Sequence, residues 1–128
     1  MREIKFRGKR LDNGEWLYGS LVILNGRYFI FDYVNEVDPT TVGEFTGLKD
    51  KNGKEIYEGD VIRSPLSEDK TRPHRIFYHT GNAAFMGALV DRKELCYLRL
   101  DQDWIYKFGK EVIGNIHDNL ELLKGGEQ

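Results

Sequence analysis

Along most of this chain, short runs of alternating apolar and polar residues are closed by glycine, proline or asparagine. That is the pattern of strands and tight turns. Residues 2–7 alternate strictly, predicting a half-buried strand with Ile4 and Phe6 inward and Glu3, Lys5 and Arg7 outward. Residues 15–24 and 27–33 are apolar on both faces and rich in aromatic and β-branched side chains, as expected of strands covered on both sides. Asn25-Gly26 lies between them, and Asn13-Gly14 and Asn52-Gly53 recur elsewhere; each pair suits a turn with positive φ, so three hairpins are predicted. The pattern lapses over residues 35–41, where Asp38-Pro39-Thr40 reads as a connecting loop. It resumes over 43–48, turns at 50–53, continues through 54–57 and reaches Glu58-Gly59-Asp60 before the strand 61–63. Gly59 is the expected left-handed residue of that corner, with Asp60 capping it. Residues 64–73 carry Pro65 and Pro73 without periodicity and read as a mobile surface loop. Further strands are predicted at 74–79, 84–90, 94–101 and 112–117. Asp118, with Glu121 three positions later and Leu120, Leu122 and Leu123 beside it, suits the start of one or two helical turns.

Composition strengthens the β reading, since 14 of the 128 residues are glycine and the only alanines are Ala83, Ala84 and Ala88. The fold class expected is mainly β: a small SH3-like barrel or two packed antiparallel sheets built from hairpins, with at most a short C-terminal helical turn. A chain of this length, 40% hydrophobic and 31% charged, is expected to form one domain over residues 1–123, with 124–128 as a frayed tail. Trp16, Tyr18, Phe29, Phe31, Phe45, Ile56, Val61, Ile113 and Ile116 are the expected core. No apolar run approaches the roughly 18 residues of a membrane span, and none follows the basic N-terminus as a leader would require. The single cysteine, Cys96, sits in an apolar alternating run and reads as a buried thiol in a reducing cytoplasm.

Candidate chemistry is sparse. His74 and His79 are five residues apart and would point to opposite faces of a strand, which argues against a zinc site with His117. Residues 47–54 resemble a phosphate loop only in their glycines, because Glu55 stands where Ser or Thr is needed. A calcium loop through Asp50 and Asn52 fails as well, with Gly53 arriving two positions early. Asp101 with Asp103, or Glu58 with Asp60, have the same-face spacing of a strand, yet fit turns better than acid–base pairs. Ser20, Ser64 and Ser67 lie in no nucleophile elbow. The expectation is therefore a protein without catalytic residues, metal or cofactor. Charge leaves one alternative. Residues 1–10 hold five basic residues against one Glu, whereas 111–128 hold four acids against one Lys. Lys5, Arg7, Lys9, Arg10, Arg72 and Arg75 could form a stripe along a nucleic-acid backbone. The overall charge of -2 favours a solvated strand face instead.

The segment Phe45-Thr46-Gly47-Leu48-Lys49-Asp50-Lys51-Asn52-Gly53-Lys54-Glu55-Ile56-Tyr57-Glu58-Gly59-Asp60-Val61-Ile62 closely resembles the signature of the YopX family, small proteins encoded by bacteriophages and prophages. Residues 1–7, Gly14-Glu15-Trp16-Leu17-Tyr18-Gly19-Ser20-Leu21 and Val112-Ile113-Gly114-Asn115-Ile116-His117 are similar to its opening, second and closing segments. At the tail, Leu120 stands where the family often has proline. The resemblance implies a mainly β domain in the cytoplasm of a bacterial host, and it carries no established activity. Thr46, Gly47, Asp50, Asn52, Gly53, Glu58, Gly59 and Asp60 are then expected to serve structure, as a hairpin followed by a corner. The expected partners are further copies of the chain, or a host or phage protein, with no membrane and no nucleic acid.

Overall fold

The computed structural model describes residues 3–31, 33–64, 73–90 and 97–124. They form a mainly β chain of three antiparallel sheets and, among the described residues, one α-helix. Two compact units divide the chain, Met1–Gly47 and Leu48–Gln128. The expected 64–73 loop falls almost wholly outside the described residues, as does Cys96.

The first unit contains β1 (Phe6–Lys9), β2 (Trp16–Gly19), β3 (Leu21–Leu24), β4 (Arg27–Ile30), β5 (Glu36–Val37) and the start of β6 (Gly43–Lys49). β1 lies between β2 and β6, with Arg7 opposite Tyr18 on one side and Gly43 on the other. The Asn13-Gly14 turn closes the first hairpin: the Arg10 N–H donates to the Glu15 carbonyl at 2.9 Å, and Gly14 has φ 75°. β3 and β4 meet across Asn25-Gly26 with Leu24 opposite Arg27, and the φ values of 52° and 77° at the two turn residues suit the twist of a two-residue hairpin. Residues 35–41 are more ordered than a loop. β5 pairs with β4, Val37 is fully buried, and Asp38 caps the single 3-10 turn Pro39–Thr41 by accepting from the Thr40 N–H at 3.0 Å.

Four expectations about burial are overturned here, at Ile4, Arg7, Phe31 and Tyr18. Ile4 precedes β1 and is exposed, while Arg7 is only 5% exposed. The cause comes from other strands: the Arg7 guanidinium lies 4.6 Å from the centre of the Trp16 ring, and next to it Gly8 leaves room for Val37, whose Cγ2 is 3.0 Å from where a Cβ would stand. Phe31, expected in the core, is 63% exposed. It follows the last residue of β4, takes φ 78° and lays its ring over Gly19, with ring carbons 2.8 Å from the position a Cβ would occupy there. Tyr18, on the terminal strand of its sheet, is exposed too. Phe29 and Phe45 are buried as expected, and Trp16 is half-buried.

The second unit holds β7 (Glu55–Tyr57), β8 (Asp60–Arg63), β9 (His74–His79), β10 (Ala84–Leu89), β11 (Tyr97–Arg99), the helix α1 (Gln102–Lys107) and β12 (Glu111–Asn115). Its main sheet runs β11-β10-β9-β8-β12. Ile56, Ile62, Ile76 and Ile105 make its core, with Leu48, Leu100, Trp104 and Val112 packed around them. The register slips between Val112 and Gly114, so Ile113 falls in a bulge and is half-buried, as is Ile116. At Gly114 a Cβ would come within 2.6 Å of the Asn119 Oδ1, which itself accepts from the Asn115 N–H.

Neither the β3-β4-β5 sheet nor the five-stranded sheet closes on itself, so the described strands form open sheets in place of the SH3-like barrel that was one expectation. α1 is the other correction. Asp101, expected to end the strand 94–101 and with Asp103 to suit a turn, is the N-cap of this helix, accepting from the Trp104 N–H at 2.7 Å, and Asp103 sits in the first turn. The short turn expected near the C-terminus is present as a 3-10 segment, Leu120–Lys124.

Candidate functional site

The signature segment is organised by two buried carboxylates. At the end of β6 the Asp50 N–H donates to the Lys54 carbonyl at 2.7 Å, and Gly53 at φ 85° completes a three-residue turn. The Asp50 side chain then gathers three backbone donors. Its Oδ1 accepts from Asn52 at 2.8 Å and Lys54 at 2.9 Å, and its Oδ2 accepts from Val112 at 3.0 Å, tying the hairpin to β12 across 62 positions of sequence. Asp60 closes the corner, its Oδ2 accepting from the Tyr57 N–H at 2.8 Å. Between these residues Gly59 has φ 92°; its N–H donates to the Ile76 carbonyl and its own carbonyl accepts from Ile116, both at 2.8 Å. A glycine therefore makes the corner and also joins β7–β8 to two later segments. Asn52 reaches the Glu111 carboxylate, and Glu58 is half-buried at the corner itself. In the first unit Thr46 is buried and Gly47 takes φ 86°.

The described basic residues of the alternative stripe are each in contact with a carboxylate or an aromatic ring. Lys5 lies 3.4 Å from Glu3 and over the Phe45 ring. Arg7 is buried on Trp16, and Lys9 approaches the same ring at 5.5 Å. Arg10 forms a two-pronged pair with Asp12, its Nε and terminal nitrogen donating at 3.0 and 2.7 Å. Those hydrogen bonds raise the Arg10 pKa above its ordinary value and lower that of Asp12. Arg75, in the second unit, sits 5.1 Å from the centre of the Phe77 ring, and Arg72 lies outside the described residues. Arg7 thus cannot serve as an exposed phosphate contact.

One buried charge was not singled out from the sequence. Lys110 is fully buried, its Nζ has no hydrogen-bond partner among the described residues, and it lies 4.6 Å from the centre of the Trp104 ring. Burial lowers its pKa. His74, also buried, meets the same indole edge-on with ring centres 6.3 Å apart. The sequence did carry the signal, since counting back in twos from the core residue Val112 puts Lys110 on the inward face. Among the described residues no group of three or more His, Cys, Asp and Glu side chains could hold a metal ion, and no helix is long and apolar enough to cross a membrane.

Among the described residues, most of the exposed large hydrophobic side chains lie in the first unit. On β3, which has β4 on one side and is the terminal strand of its sheet, Ile23 and Leu24 are about half exposed. Phe31, Tyr33 and Val34 are exposed beyond the other end of the hairpin.

No curated protein matches the chain. Among solved structures it is similar to the crystal structure of protein EF1440 from Enterococcus faecalis, with a TM-score of 0.63 and 29% identity over 96% of this chain and 99% of that one. The YopX protein family matches residues 5–124, a span that takes in the carboxylate-centred hairpin, the Gly59 corner and β12. The chain belongs to the YopX family.

Proposed function

We propose that the chain is a non-enzymatic accessory protein of a bacteriophage or prophage, working in the cytoplasm of the bacterial host through protein–protein contacts, with self-association among them. The phage setting comes from the signature resemblance. The contact mode rests on one observation: β3, Leu21–Leu24, is an uncharged, apolar terminal strand with Ile23 54% exposed. Edge strands that stay monomeric are usually very short or carry a charge, a proline or a bulge; this one is short, at four residues, but has none of the others. Because Leu24 and Arg27 flank a two-residue turn and pair with each other, alternation directs the backbone groups of Leu21 and Ile23 to the open side. A second copy of the strand, antiparallel across a two-fold axis, meets them without opposing charges.

Sedimentation velocity on the full chain tests this reading. A concentration-dependent dimer is expected, and Ile23→Lys should shift it to monomer while the circular dichroism spectrum stays unchanged. A wild-type chain that remains monomeric at every soluble concentration would defeat the self-association reading.

A further inference from the structure

Three Asn-Gly pairs invite the same spontaneous chemistry, in which the glycine backbone nitrogen attacks the asparagine side-chain carbonyl. The structure separates them. At Asn13-Gly14 the attacking nitrogen is occupied, the Gly14 N–H donating to the Arg10 carbonyl at 3.0 Å, and the Asn13 Oδ1 accepts from Glu15 at 2.9 Å. At Asn52-Gly53 the Gly53 N–H donates to the Asp50 carbonyl at 2.9 Å, and the Asn52 Nδ2 donates to Glu111 at 3.3 Å. At Asn25-Gly26 neither the asparagine amide nor the Gly26 N–H has a hydrogen-bond partner among the described residues. All three pairs are exposed, with no atom within 4 Å of where a Cβ would stand at Gly14, Gly26 or Gly53, so it is the hydrogen bonds that separate them.

We propose that Asn25 is the site at which this protein deamidates. The Gly26 nitrogen gives up its proton to solvent and forms a bond to the Asn25 Cγ; the Cγ–Nδ2 bond breaks, and the side-chain nitrogen leaves as ammonia with a proton returned from solvent. Water then opens the cyclic imide at one carbonyl or the other, giving aspartate or isoaspartate without any redox change. The attack still requires the turn to leave its φ 52° and 77° conformation, but only the turn has to move. Asn13 and Asn52 must in addition release the hydrogen bonds just described, each slowing the reaction by about fivefold.

The product bears on the proposed self-association, and this part rests on that reading. Aspartate at position 25 puts a negative charge beside Leu24 at the tip of the uncharged β3 edge. Isoaspartate adds a backbone carbon to a two-residue turn and disturbs the Leu24–Arg27 register. Either product would act as a slow, age-dependent brake on pairing.

The full chain, aged in mildly alkaline buffer, is digested, and the three sites are followed by tandem mass spectrometry with fragmentation that distinguishes isoaspartate. Conversion at Asn25 is expected at least several-fold faster than at Asn13 and Asn52, with the three rates converging in concentrated urea. Equal or faster conversion at Asn13 or Asn52 in the folded protein would overturn the assignment, as would persistence of the same ranking in urea. Sedimentation of Asn25→Asp addresses the second part, with weaker association than wild type expected. An undiminished dimer removes the brake, whereas a wild-type monomer refutes the self-association reading and the brake with it while leaving the mass-spectrometric result to decide the modification site.

Discussion

Replacing Asp50 with alanine strips one acceptor from three backbone N–H groups at once. Asn52 and Lys54 are exposed, so water can take over there and each loss costs about 1 kcal/mol; the Val112 N–H is half-buried, and losing its charged acceptor costs about 2–3 kcal/mol. The expected destabilisation is about 4 kcal/mol, a large part of the 5–15 kcal/mol typical of a domain. Urea titration followed by far-ultraviolet circular dichroism should show it as a fall in midpoint of about 2 M. Asp50→Asn is the finer probe. It keeps an oxygen for Asn52 and Lys54 but sets a second donor against Val112, and should cost about 2 kcal/mol, with amide exchange accelerated most at Val112. If Asp50→Ala stayed within about 0.5 M of the wild-type midpoint, the carboxylate would not be the tie between hairpin and β12.

Lys110→Met should raise the melting temperature at neutral pH, because it removes an ammonium that burial disfavours. The folded state holds the Lys110 pKa below its ordinary 10.5, so in the window between the lowered value and 10.5 the unfolded chain binds more protons and wild-type stability contributed by this group rises with pH. The advantage of methionine should therefore shrink toward the upper end of that window, and a constant difference in melting temperature across it would contradict the assignment. Gly59→Val should destabilise far more than Gly26→Ala, since Gly59 combines φ 92° with hydrogen bonds to two other segments while Gly26 faces open space; equal shifts in urea midpoint would count against the corner. Phe29→Ala should cost about 3–5 kcal/mol and Phe31→Ala under about 1 kcal/mol, despite their closeness in sequence, and matched melting curves for the two variants would show the core misplaced.

What was legible in the chain was its turn chemistry. Asn25 and the glycines Gly14, Gly26, Gly53 and Gly59 take the positive φ angles their residue types favour, because such angles are set locally. β9 begins and ends where alternation places it. Burial was less legible, since it depends on what arrives from elsewhere. Arg7 is inward because Trp16 supplies a ring face, and Val37 is inward because Gly8 lacks a side chain, facts separated from those residues by many positions. α1 escaped notice because six residues are too few for a helical period to register; its signals were the cap at Asp101 and the left-handed Gly109 beyond its end. In the signature, residue types suggested a turn, but the link from Asp50 to Val112 spans a distance that no local pattern records.

The chain holds two tryptophans, and the fold assigns one to each unit, both with cations at their ring faces. Trp16 carries Arg7 and Lys9; Trp104 carries Lys110 on its face and His74 at its edge. An indole excited state shifts charge across its ring system, so its emission wavelength and lifetime respond when a nearby ammonium or imidazole departs. The protein thus contains two optical reporters of separate regions. With Trp16→Phe or Trp104→Phe, the fluorescence of the remaining indole follows one unit alone, and comparing the two denaturation profiles reveals whether Met1–Gly47 and Leu48–Gln128 melt together or in sequence.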